Sequence, residues 1–246
     1  MASAVICALW ASTPPASPPR RSLRATTRAC YLKASDPERP RGVWIRYTVL
    51  KRPGVSLRPL ATFSDRVRFG EQTVEIDGWP GMVGHNWGTE HAERWIWVHA
   101  AGFPDAPGVW FDVTIGRIRV GRAVLPWIAN GALQLERRLY RLGGPAAIRT
   151  TAVRETPTRC AFALRGRGVA VRGEVGARED LAVAWRYSDP GGGEHKTTNC
   201  SVASLALTVR PEAGEERILR IGAGAAYELG AREDPPGIPL QPFPDP

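Results

Sequence analysis

Cysteine and histidine are scarce in this 246-residue chain, with four copies each, and methionine is scarcer still, with two. Cys7, Cys30, Cys160 and Cys200 are scattered without a CxxC pair, which argues against a zinc ribbon and a disulfide framework and leaves reduced thiols as the expectation. No stretch approaches the roughly 20 apolar residues that a membrane helix needs. The apolar opening, residues 1–10, has no basic residue ahead of it, so a cleaved signal is not expected and the cytoplasm is the expected compartment. The net charge of +9 comes with no basic block and no nucleic-acid recognition motif, so nucleic acid is not an expected partner. Dispersed arginine suits solvated strand faces, and peripheral contact with an anionic membrane is the other use such charge could have.

What is present is alternation. Residues 41–50 alternate around Trp44, Ile45, Tyr47 and Val49 and are closed by Pro53-Gly54. Similar strand patterns recur at 57–63, 72–76, 94–101, 109–120, 148–154, 161–164, 169–175, 181–187, 202–209 and 218–221, and Gly, Pro, Asp or Ser separates most of them. That spacing predicts an all-β chain forming an antiparallel barrel or sandwich. Residues 131–142 fit either a helix or a strand, because Leu133, Leu135 and Leu139 leave the period open. The Pro- and Arg-rich leader, 1–28, cannot bury enough apolar surface to offset its ordering entropy and is expected to be disordered. The Pro-rich tail, 236–246, is expected to be an irregular surface segment.

Three of the four histidines and four of the nine tryptophans fall between Trp79 and His99. Written as a strand from His91, a period of two puts His91, Glu93, Trp95, Trp97 and His99 on one face. Indole walls with imidazole and carboxylate groups suit a pocket that offers protons to an apolar molecule. A metal site is not expected. On a straight strand His91 and His99 lie about 26 Å apart, so only His91 with Glu93, or His85 after a bend, could converge. Gly84-His85-Asn86-Trp87-Gly88 reads as a tight bend next to a ligand, or as a structural corner. In the following strand Trp110, Asp112 and Thr114 share one face opposite Val109, Phe111, Val113 and Ile115. An Asp112 inside a barrel would have its pKa raised by desolvation and could donate a proton; on a solvated face it would not. His195, in a glycine-rich polar loop, is expected to be exposed.

The blocks Tyr31-Leu-Lys-Ala-Ser-Asp-Pro-Glu-Arg-Pro40, Gly42-Val-Trp-Ile-Arg-Tyr-Thr48, Gly78-Trp-Pro-Gly-Met-Val-Gly-His-Asn-Trp87 and Trp95-x-Trp97-x-His99 resemble the carotenoid 1,2-hydratase (hydroxyneurosporene synthase) superfamily. Tocopherol cyclases and AttH-type proteins belong to the same group. The resemblance implies lipocalin-like β-barrels, a cofactor-free hydratase or cyclase that protonates an alkene, and a hydrophobic isoprenoid-like or polyketide-like ligand as partner. It implies a shortened N-terminal domain over 29–78, because only about thirty residues separate the Trp44 block from the Gly84 block, and a largely complete C-terminal barrel over 79–235. It maps catalysis onto His85, Trp87 and Asp112, with Trp110 standing where the family has Tyr; the aromatic, polar surroundings of that set, Asn86, His91, Trp95, Trp97, His99 and Trp110, are the expected substrate contacts. The other reading of the same tryptophans is a non-catalytic lipocalin-like carrier, and a truncated inactive homologue is a third.

Overall fold

The computed structural model describes residues 6–7, 27–50, 54–69, 71–88, 91–189 and 193–241. Side chains at 6–7, 27–30, 45–50, 54–59, 69 and 85–88 lie outside that description, as does the rest of the leader expected to be disordered.

Two sheets account for most of the chain. The N-terminal one holds β1 (Ile6–Cys7), β2 (Thr27–Ser35), β3 (Gly42–Leu50), β4 (Gly54–Phe69) and β5 (Gln72–Gly88), in spatial order β1-β3-β2-β5-β4. It is open, and β4 and β5 form a long hairpin with register shifts at Arg58/Ala61 and Phe63/Asp65. The boundary expected at residue 78 therefore falls inside β5, and the second sheet begins only at Arg94. Gly84 to Gly88 is not a bend either. It is regular strand, with Gly84 paired to Tyr31 and Gly88 to Thr27.

The second sheet contains β6 (Arg94–Phe103) and β7 (Ala106–Arg117). After a two-stranded ribbon, β8 (Arg119–Val120) with β9 (Ala123–Val124), it continues with β10 (Ile128–Leu135) and β11 (Arg138–Gly143). The remaining strands are β12 (Ala152–Thr156), β13 (Arg159–Gly166), β14 (Val169–Gly176), β15 (Val183–Ser188), β16 (Glu194–Pro211) and β17 (Arg217–Ala231). Strands β6, β7, β10, β11, β13, β14, β16 and β17 pair in sequence order, and the last closes on the first through Ala226 to His99. This is a closed antiparallel barrel of eight strands. The undecided stretch 131–142 is the β10–β11 hairpin, turned at Glu136 with φ 55°. The tail is less irregular than expected as far as it is described: Leu240 bridges Ala184, the Gln241 N–H donates to the Ala184 carbonyl at 2.7 Å, and Ile238 is buried.

Alternation decides which side chains enter the barrel. Ile96, Val98 and Ala100 of β6 and Val109, Phe111, Val113 and Ile115 of β7 point in and join Leu133, Leu164, Val171 and Leu207 in one apolar core. Phe111 and Phe162 stack across it at 5.7 Å. An eight-stranded barrel is just wide enough for its own side chains to fill it, and the opposite face of β6, with Trp95 and Trp97, turns outward. Tyr227 of β17 is a fully buried core residue with a polar tip. Its hydroxyl donates to the carbonyls of Thr156 at 2.6 Å and Arg159 at 3.2 Å, tying the β12–β13 turn to the closing strand. Burial pushes its pKa up, so the phenol stays protonated. Tyr227→Phe should leave both carbonyls without this donor and destabilise the chain by about 1–3 kcal/mol. Thermal melts would check it, and an unchanged midpoint would refute it.

Candidate functional site at the sheet junction

The N-terminal sheet lies against the outer wall of the barrel. Register places Trp44, Lys33 and Met82 in one row across β3, β2 and β5, and all three are buried at that contact. Met82 meets Trp97 and Ala226, while Trp44 stacks on Trp185 at 5.3 Å. Tyr31 sets its ring edge-on to Trp97 at 5.6 Å. Ser35 donates to the Ser201 carbonyl at 2.8 Å, and Lys33 Nζ donates to the Gly224 carbonyl. Close approach at two places depends on glycine opposite an aromatic ring. A Cβ on Gly84 would stand 2.1 Å from the Tyr31 ring, and one on Gly230 would stand 2.1 Å from Trp95.

The expected aromatic and titratable face of β6 is therefore real from Trp95 onward, and it faces the other sheet. Asp112 lies on the same outer wall, not inside the barrel, yet it is buried by the covering sheet. Its Oδ2 accepts the Trp97 indole N–H at 3.2 Å and lies 3.1 Å from His99 Nδ1. His99 is fully buried, and its Nε2 has no hydrogen-bond partner among the described residues. Burial pushes the His99 pKa down, Asp112 opposes that shift, and the Lys33 charge adds to it. Lys33 itself is pushed down to about 7, chiefly by burial. Beside this pair, Glu228 accepts Trp95 Nε1 at 2.7 Å and Asn199 Nδ2 at 3.1 Å.

Other predicted residues go elsewhere. Trp110 is half-buried and Thr114 is exposed on the same face as Asp112. Glu93 precedes β6 and pairs with Arg119 and Arg232, which hold its carboxyl down at about 2. His85, Asn86 and Trp87 have backbones in β5, paired to Cys30, Ala29 and Arg28, and their side chains lie outside the described residues. His195 was expected in solvent but is fully buried at the start of β16, with Nδ1 2.8 Å from Asp189 Oδ1. His91 Nδ1 reaches the same oxygen at 2.8 Å. Sequence reading missed Lys33 and Asp189 and put His195 in solvent, because their roles arise from contacts between distant elements, which leave no local signal. A groove of about 750 Å³ on another wall, lined in part by Arg154, Ala161, Arg172 and Glu174, contains none of the predicted site residues.

No family model and no solved structure matches the chain. Two curated proteins of Mycobacterium tuberculosis do match: uncharacterized protein MT0513 (strain CDC 1551 / Oshkosh) and uncharacterized protein Rv0493c (strain ATCC 25618 / H37Rv). Each is 29% identical over 203 residues, which covers 78% of this chain and 56% of the relative. The chain thus spans a little over half the length of the curated relatives it matches. Among the described residues no helix is long and apolar enough to cross a membrane.

Proposed function

We propose that the junction is a cofactor-independent acid–base site of the hydratase or cyclase type, acting on a hydrophobic isoprenoid-like or polyketide-like alkene. The observation that carries this reading is the buried His99 ring beside Trp97, anchored through Nδ1 by Asp112 and with no hydrogen-bond partner at Nε2 among the described residues. An anchored imidazole of this kind can move a proton at its other nitrogen. Asp112 accepts from two neighbours, so its part is to orient the ring, and the acid expected at Asp112 moves to His99. Burial makes the imidazolium a stronger acid than it would be in water. In the forward step Nε2–H passes to an alkene carbon, and the neutral ring then takes the proton of the water or internal hydroxyl that captures the cation. The proton count closes within one turnover. Indole faces attract the intermediate cation, by up to about 2 kcal/mol each where desolvated.

Protein incubated with lipid extract in deuterium oxide should place one deuterium on the product carbon. Asp112→Asn should lower that rate by about 10²–10⁴ while the lipid still co-purifies. Equal deuterium uptake by the variant would refute the assignment. Lipid bound without uptake by either protein would favour the carrier reading. The wild-type rate should also rise as pH falls through a value below 6.5, because the imidazolium is the reactive form.

A further inference from the structure

The geometry points to a second site, for a divalent transition-metal ion, formed by His91, Asp189 and His195. We infer it from three side chains contributed by three segments. His91 lies on the link between the sheets, Asp189 follows β15, and His195 is in β16. The two imidazole Nδ1 atoms each stand 2.8 Å from Asp189 Oδ1, and one ligand atom from each residue lies within 4.8 Å of the others. With metal–ligand bonds of about 2.0–2.2 Å, neighbouring ligand atoms of a tetrahedral or octahedral shell lie about 3–3.5 Å apart, so small side-chain shifts would bring all three onto one ion. Two imidazoles and a carboxylate on one side, with the other positions open, is a donor set suited to zinc or iron(II) and unsuited to calcium.

The surroundings fit a positioned ligand set. Trp95 lies against both rings, stacked on His91 at 5.3 Å and tilted to His195 at 5.1 Å. Arg232 stands 3.6 Å from the other carboxylate oxygen, Asp189 Oδ2, and its charge is partly matched by Glu93 at 3.2 Å. The guanidinium can therefore orient Asp189 while Oδ1 faces the imidazoles. His195 is fully buried and Asp189 nearly so, whereas the His91 side chain is 25% exposed, which gives an ion a way in. An ion here would tie the link between the two sheets to the β15–β16 hairpin.

The test is titration of chelator-stripped full-length protein with zinc by calorimetry and with cobalt(II) by visible absorption. One equivalent should bind, the cobalt spectrum should show nitrogen and oxygen ligation, and the melting temperature should rise with zinc concentration. His91→Ala, at the most exposed ligand, should keep the native circular-dichroism spectrum and weaken binding at least about tenfold, and Asp189→Asn should weaken it further. Absence of binding to the wild-type chain, or binding that neither substitution changes, would overturn the site and leave a His-Asp-His hydrogen-bonded strap. Asp112→Asn should leave metal binding unchanged, so this site and the proton-transfer site fail independently.

Discussion

Gly230→Val is expected to lower the melting temperature by about 4–24 °C. Gly230 is paired with Trp95, whose ring lies across it so closely that a Cβ would be 2.1 Å from Cε2 and 2.2 Å from Cζ2. The ring cannot slide aside without loss. Its Nε1–H is bound to Glu228 at 2.7 Å, and His91 and Tyr187 stack against it. Overpacking costs about 1–3 kcal/mol, and a buried carboxylate that loses one of its donors about 1–3 more. For a chain of this length each kcal/mol moves the midpoint by about 2–4 °C. Calorimetry would measure it; a shift below 2 °C would mean that the ring has another place to go.

Lys33→Met should change how stability depends on pH. The folded pKa of Lys33, about 7, lies below its ordinary 10.5, so between those values the unfolded chain binds more protons and stability rises with pH. Below pH 7 the folded state carries the whole cost of a buried ammonium, on the order of 3–5 kcal/mol from the size of the shift. Methionine removes that cost but leaves the Gly224 carbonyl without its donor, a loss of about 1–3 kcal/mol. The variant should therefore be the more stable protein at pH 6 and should lose that advantage by pH 10. Cys160, pushed up to about 12, and Cys200 and Tyr227, also raised, erode stability in both proteins above pH 9, so the informative quantity is the difference between the two denaturation series. A difference that stays constant from pH 6 to 10 would contradict a buried, titrating Lys33.

Much of the barrel was legible because alternation is local. The faces of β7 follow directly from Val109, Phe111, Val113 and Ile115 against Trp110, Asp112 and Thr114, and the structure keeps that division. Which face turns inward is not local information. The Trp95-Trp97 face is aromatic, and only the assembled structure shows it turned outward, where its indole N–H groups reach Glu228 and Asp112. The pairing of glycine with aromatic rings was hidden for a related reason. Gly84 looks like a bend until Tyr31, far away in sequence, is found lying over it. His91 was misplaced onto the strand because parity carries no signal for where a strand begins, and its partners Asp189 and His195 come from the far side of the barrel's sequence.

The closing pair of the barrel also bears on the order of assembly. His99, in the first barrel strand, finds its neighbour Ala226 only in the last, so β6 has an open edge until nearly the whole domain has been synthesised. A meander of local hairpins can form early, but the ring shuts through contacts of very long sequence separation, which are the slow ones. The wall on which Trp97, His99 and Asp112 meet Lys33 is thus a late product of folding. A chain stopped before β17 would expose one edge of the His99 strand and lack the Gly224 carbonyl that receives Lys33.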